Sequence, residues 1–319
     1  MPAPRSDSSS ATGPRVEPVP GEPAAVATLD FGAGNEDGPK SESNSESESL
    51  QTLERALLIA DYHAGYEAGL RYERGVDVPS NAAERRERLF SLIERTSPDR
   101  LVVLGDLMHS IGDPGGAERG ELEYLFESEP LQSLAVTVVK GNHDGAIETW
   151  LGADADASAA AALSSSSSSP SSPTSLTITP GDGIALGDGS VGVCHGHTWP
   201  SREVLESDVL CLGHEHPCVR VEDEVGGGRV EQVWLRGRAD PAAFREHPGL
   251  DHDALPAWMT NDNVPSPQVV VVPAFNELVG GTWVNVAGQS FLSPFLPDGV
   301  ADGEAYLLDG TRLGPYEAV

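Results

Sequence analysis

Apolar residues along this chain fall into short, separated runs. Arg55–Ala60 (RALLIA), Leu101–Leu104 (LVVL) and Ala135–Val139 (AVTVV) are near-continuous and too short for helices, which predicts buried strands. Between the first two, Ala82–Arg95 places Leu89, Leu92 and Ile93 on one face of an otherwise charged stretch, the pattern of an amphipathic helix. Further strands are predicted at Leu176–Ile178, Val191–Cys194, Val209–Leu212, Val219–Val221, Val230–Leu235, Val269–Val272 and Thr282–Val286. Early strands alternate with helical sequence and later ones follow each other closely. That order predicts a layered α/β sandwich rather than a barrel, without internal repeats.

Two stretches lack such patterning. Residues 1–50, rich in Ser, Pro, Gly and Glu and ending in Ser41–Ser49 (SESNSESES), read as a disordered acidic tail. Residues 51–319 then form one domain. A Ser-rich segment at 153–175, with the run Ser164–Ser169, reads as a flexible insertion because patterned sequence resumes on both sides. No apolar run approaches the roughly 18 residues of a membrane span, and the N-terminus has no apolar signal core. Cys194, Cys211 and Cys218 form no CxxC pair, so reduced thiols and a cytoplasmic setting are expected.

Charge changes the picture of partners. The 319 residues hold 20 Lys plus Arg against 50 Asp plus Glu, a formal charge of −30. Lys40 and Lys140 are the only lysines, a bias that resembles the proteins of salt-loving archaea. In ordinary salt such a charge repels polyanions. At molar salt the Debye length is about 3 Å, so only charge local to a site counts. A phosphate-rich substrate therefore stays open.

Metal-ligating residue types recur just after the predicted strands: Asp61 and His63; Asp106 and His109 (GDLMH); Asn142, His143 and Asp144 (GNHD); His195 and His197 (HGH); His214 and His216 (GHEHP). Loops at the carboxyl ends of strands converge on one crevice, so these residues can meet. Asp, Asn and neutral His suit Mn²⁺, Fe²⁺, Zn²⁺ and similar ions, and the set is large enough for two. Two divalent ions bring four positive charges and Asp61 with Asp106 return two, leaving a cationic pocket that attracts a phosphate ester. Glycines before Asp106, Asn142 and His214 suit tight turns around such a cluster.

The ordered series DxH, GDxxH, GNHD, HGH and GHxH resembles the calcineurin-like metallophosphoesterases. More narrowly, with DYHAGYE and Gly280–Leu296 (GGTWVNVAGQSFLSPFL), it resembles the archaeal phosphoesterases related to the SbcD nuclease. The resemblance covers about residues 51–296. It implies a four-layer α/β/β/α sandwich of two mixed sheets and a dinuclear site, manganese first, with iron, zinc or nickel as alternatives. Carried over by motif, Asp61, His63 and His216 hold one ion, Asp106 bridges, and Asn142, His195 and His214 complete the second. His143 acts on the substrate phosphate and leaving oxygen, Asp144 orients His143 through a hydrogen bond, and His109 and His197 are weaker candidates for phosphate contact. Tyr62, where relatives often carry leucine, points away from the ligands.

The implied activity is hydrolysis of a phosphodiester, nucleic acid (DNA or RNA) being the first guess, by water that the metals activate. The alternatives are a phosphomonoesterase or nucleotide phosphatase, and a non-catalytic scaffold of the same fold. Scaffolds lose metal residues, and all seven are intact here. Too little sequence follows Ser293-Pro294 for the capping and partner-binding regions of an SbcD-type subunit, and no pattern specifies a protein partner. His247 and His252 are expected in solvent, Trp258 and Phe275 in packing. Arg236 and Arg238 read as a solvated turn, with a phosphate clamp as the other reading.

Overall fold

In the computed structural model, residues 15–30, 53–151, 175–222 and 226–319 are described. The Ser-rich segment lies outside them except for Ser175, as does most of the 1–50 tail. Six strands form the first sheet, in spatial order β1 (Val16–Pro18), β2 (Ala24–Asp30), β3 (Leu53–Ile59), β4 (Arg100–Leu104), β5 (Ala135–Val139) and β6 (Ser175–Thr179). From β3 to β6 the pairing is parallel, while β1 and β2 add antiparallel strands at one edge. Helices α1 (Tyr66–Arg74), α2 (Ala82–Thr96) and α3 (Gly116–Glu127) lie in the connections flanking β4.

The second sheet contains β7 (Ile184–Leu186), β8 (Val191–Cys194), β9 (Val209–Leu212), β10 (Cys218–Glu222), β11 (Gly228–Ala239), β12 (Gln268–Val271), β13 (Val300–Leu307) and β14 (Arg312–Pro315). Its order is β14-β13-β11-β12-β9-β8-β7, with β10 paired to β11 off this path. Strands β8, β9 and β12 are parallel and the remaining pairs antiparallel. Two mixed sheets result.

Alternation along the strands assigns the layers. In β3, Leu57 and Ile59 pack outward with Leu89 and Leu92 of α2 and Leu122 and Leu125 of α3. Ala56 and Leu58 point the other way, into a core shared with Val193, Cys211, Trp234 and Val270 of the second sheet. A third cluster, with Phe244, Trp258 and Met259, covers the second sheet's outer face. Period-two burial of this kind produces a four-layer sandwich.

Three expectations change. Residues 15–30 are not part of a disordered tail: Ala24–Asp30 pairs along the whole of β3, and its alanines and Leu29 are buried in the core. The short apolar run AAVATLD is enclosed by Ser-, Pro-, Gly- and Glu-rich sequence, which concealed it. Thr282–Val286 is not a strand of either sheet; it meets the start of β10 through the Cys218–Trp283 bridge and its amide bonds, and the GHEHP loop through the Thr282 amide on the Glu215 carbonyl. Arg236 and Arg238 sit within β11, not in a turn. The Arg238 side chain donates to the carbonyl of Ser266, which argues against a phosphate clamp.

Candidate metal centre

The carboxyl ends of β3, β4, β5, β8 and β9 open to one side, and each leads within a few residues into one motif. Asp61, His63 and His216 form one group whose ligand atoms lie within 4.8 Å of one another, and Asp106, His195 and His214 form a second. His63 Nε2 is 3.6 Å from Asp106 Oδ2, and His195 Nε2 is 3.5 Å from Asp106 Oδ1, so Asp106 stands between the groups. Asn142 Oδ1 lies 3.2 Å from His195 Nε2. All seven predicted ligands therefore meet. Gly141 shows how tightly: a Cβ there would sit 2.0 Å from Asp106 Oδ1.

Backbone carbonyls orient two of the rings. His195 Nδ1 lies 2.7 Å from the Leu104 oxygen, and His216 Nδ1 lies 2.7 Å from that of Gly280. Donating from Nδ1 leaves each Nε2 lone pair facing the cluster, as metal coordination requires. His63 is buried with both ring nitrogens unpartnered. Asp61 and Asp106 are 0% and 2% exposed, and their ion pairs among the described residues are all with histidine. Buried charge without a permanent counterion, ringed by lone-pair donors, fits bound divalent cations.

The electrostatics divide the rings, with His63 and His214 held neutral and His195 and His216 drawn towards protonation by the carboxylates until a cation replaces the proton. Burial drives His63 down to about 3 and, with His195 beside it, His214 down to about 4, which keeps both rings neutral. Burial also disfavours charge on His195, but Asp106 outweighs it and lifts the ring to about 9. Burial would raise Asp61, yet His216 and then His195 prevail and hold the carboxyl below its usual range. Asp106 is depressed in the same way, chiefly by His195.

Around the ligands lie the other candidates. His143 Nε2 is 4.0 Å from Asp106 Oδ2, and its Nδ1 is 2.5 Å from the carbonyl oxygen of His109. The His109 ring stacks on His143 at 5.5 Å and 13°. With His63 these two form a third group of close ring nitrogens. His197 lies beside His195 and His214, with ring centroids 5.2 and 6.0 Å away.

Asp144 differs from expectation. Wholly buried, it accepts from the amides of Gly141 (2.8 Å), Met108 (2.9 Å) and, more weakly, Leu107 (3.4 Å). It thus ties the GNHD turn to the GDLMH loop, and the His109 carbonyl is what orients His143. Burial and then Asp106 push Asp144 up to about 6. His247 is also corrected: it is buried, its Nε2 is 2.8 Å from the Pro200 oxygen, and it packs beside Trp199. Trp258 and Phe275 are buried packing residues, as expected, and Tyr62 is turned from the ligands to stack on Phe275 at 5.8 Å.

Two supporting residues, Glu215 and Asn276, lie outside the predicted site set. Glu215, wholly buried between His214 and His216, accepts from the amides of Ser293 (2.6 Å) and Leu292 (2.9 Å) and from the Thr282 hydroxyl (2.9 Å). Its place inside GHEHP was a signal, since a charged residue between two ligands invites a partner. Asn276 donates its backbone amide to the Asp61 carbonyl (3.2 Å) and has no such signal.

Fold and donor set together describe a hydrolase of phosphate esters with side chains placed where they could hold metal ions. Residues 54–218 match the Metallophos family, calcineurin-like phosphoesterase, and the chain belongs to that family. Among solved structures, the Pseudomonas putida nuclease MPE is similar at 16% identity and a TM-score of 0.44, over 81% of this chain and 87% of that one. No curated protein matches the chain.

Proposed function

We propose that this phosphoesterase is a two-metal enzyme acting on phosphodiesters, nucleic acid strands among them. Asp61, His63 and His216 would hold one ion, Asn142, His195 and His214 the other, with Asp106 shared; Mn²⁺ is the first choice. Bound there, such ions supply Lewis acidity, lowering the pKa of water from 15.7 towards about 7 and offsetting charge on the phosphoryl oxygens. The chain's own residues do the rest. His143, its Nδ1 tethered to the His109 carbonyl, presents Nε2 to the substrate. There it hydrogen-bonds the phosphate and, as imidazolium, gives the Nε2 proton to the departing alkoxide. His109, stacked on that ring, limits its rotation.

What supports this reading above all is the meeting of two complete ligand groups on the shared Asp106. Its test is hydrolysis of bis-p-nitrophenyl phosphate with Mn²⁺ in concentrated KCl. Asp106→Ala and Asn142→Ala are each expected to abolish turnover, and undiminished turnover in either discards the assignment. An intact ligand set also distinguishes this reading from a scaffold, which elemental analysis would find free of metal.

A further inference from the structure

Seven non-glycine residues among those described have positive φ, and five are Asp61 (56°), His63 (47°), Asp106 (47°), His214 (69°) and His216 (44°). Left-handed backbone at such residues persists only where the surroundings over-determine it. For the first two loops the surroundings include one helix, α3. Its Glu118 and Glu121, three residues apart on the same face, are both buried. Glu118 Oε1 accepts from the amides of His109 (2.7 Å) and Ser110 (3.1 Å), on the loop of Asp106. Glu121 Oε2 accepts from the Gly65 amide (2.9 Å), on the loop of Asp61 and His63. A Cβ on Gly65 would lie 2.4 Å from Glu118 Cβ, so α3 rests directly on that loop.

Glu121 is itself held. Arg85 of α2 reaches its Oε1 from Nε (3.0 Å) and Nη2 (2.7 Å), and also pairs with Glu67 of α1 at 3.0 Å. The same guanidinium lies over the ring of Tyr62, the residue between Asp61 and His63, with its carbon 5.2 Å from the centroid. Both oxygens of Glu121 are thus engaged, and it serves the site only through the loop it grips.

We propose that Glu118 and Glu121 are positioning residues for metal loading. By gripping both loops, α3 sets the spacing between Asp61 with His63 and Asp106, and so the affinity with which the site holds its ions. This rests on the two-metal reading above. The experiment is Mn²⁺ binding to the purified full chain, by competition with a fluorescent chelator, beside thermal melts of the same samples. Glu118→Ala is expected to weaken binding about 10–100-fold. Glu118→Gln should restore most of it, because the amide oxygen accepts the same two N–H groups. Glu121→Gln should not, because its NH₂ would face either Arg85 or the Gly65 amide, both of them donors. Glu118→Asp, which keeps the charge but withdraws it by one methylene, gives an intermediate loss and replaces the alanine variant if that does not fold. Wild-type Mn²⁺ affinity in Glu118→Ala or Glu118→Asp, whatever the melting temperature, overturns the proposal. Absence of Mn²⁺ binding in the parent chain would instead remove the two-metal reading and this inference with it.

Discussion

Glu215 offers a test of the supporting shell that needs no metal. Its carboxylate takes two amides, Leu292 and Ser293, and the Thr282 hydroxyl, with no exposure to water. Glu215→Ala strips all three donors of their acceptor inside the protein. A buried donor left unmade costs about 1–3 kcal/mol, and the hydroxyl can rotate to another acceptor, so a loss of about 3–5 kcal/mol is expected. Glu215→Gln keeps one oxygen for the two amides and turns its NH₂ towards Thr282, whose hydroxyl can accept. It gives up only charge assistance, about 1 kcal/mol. At about 2–4 °C per kcal/mol for a domain of this size, the alanine variant should melt roughly 10 °C below the parent and the glutamine variant within about 4 °C. Calorimetry in one buffer with a chelator present measures both. An alanine variant within about 2 °C of the parent, or a glutamine variant that falls equally far, refutes the hydrogen-bond account of the loop.

Two further predictions concern the site and its base. Gly141→Ala should abolish the phosphodiester hydrolysis proposed above, since the new Cβ would meet the Asp106 carboxylate oxygen at 2.0 Å and its backbone nitrogen at 2.3 Å; activity within a factor of about two of the parent would show that the Asp106 loop yields without cost to the site. The Glu67–Arg85 pair should stabilise the fold in a pH-dependent way. Burial would raise Glu67, but its hydrogen bonds and ion pair with Arg85 win and hold its carboxyl below the ordinary carboxylate range. The stabilisation is therefore complete above the unfolded value and is lost as pH falls through the folded one. Glu67→Gln should melt lower than the parent at neutral pH, with the gap closing as the pH falls through and below the ordinary carboxylate range. A constant gap would show that this carboxylate does not titrate with folding.

Much of this architecture is legible in the sequence, and the misses share a cause. Strands β3, β4, β5, β8 and β9 announce themselves by apolar runs, and each is followed within a few residues by its ligands, because strand and loop are neighbours in the chain. Strand β2 escapes notice because AAVATLD is a short apolar run enclosed by Ser-, Pro-, Gly- and Glu-rich sequence; its burial comes from pairing with β3 and from the sheet opposite. His247 seemed solvated among Pro and Asp, yet Trp199 and the Pro200 carbonyl, 47 residues earlier, enclose it. Asp144 beside His143 suggested a hydrogen bond between them. The turn instead aims the carboxylate back at the Gly141 amide and across to Met108.

Local order alone determined the ligand inventory, the two kinds of layer and the series of loops that carry the chemistry, since periodicity and turn residues act over a few positions. Only tertiary structure decided what each acidic side chain does. Asp61 and Asp106 meet histidine rings whose lone pairs can share a cation with them. Glu118, Glu121, Asp144 and Glu215 are also buried, but their hydrogen-bond partners are backbone amides, joined by Arg85 at Glu121 and by the Thr282 hydroxyl at Glu215. A carboxylate is the same group at every position in a chain. Which groups surround it, and so whether it is placed to share a cation or to hold a loop, is settled by residues far away in sequence.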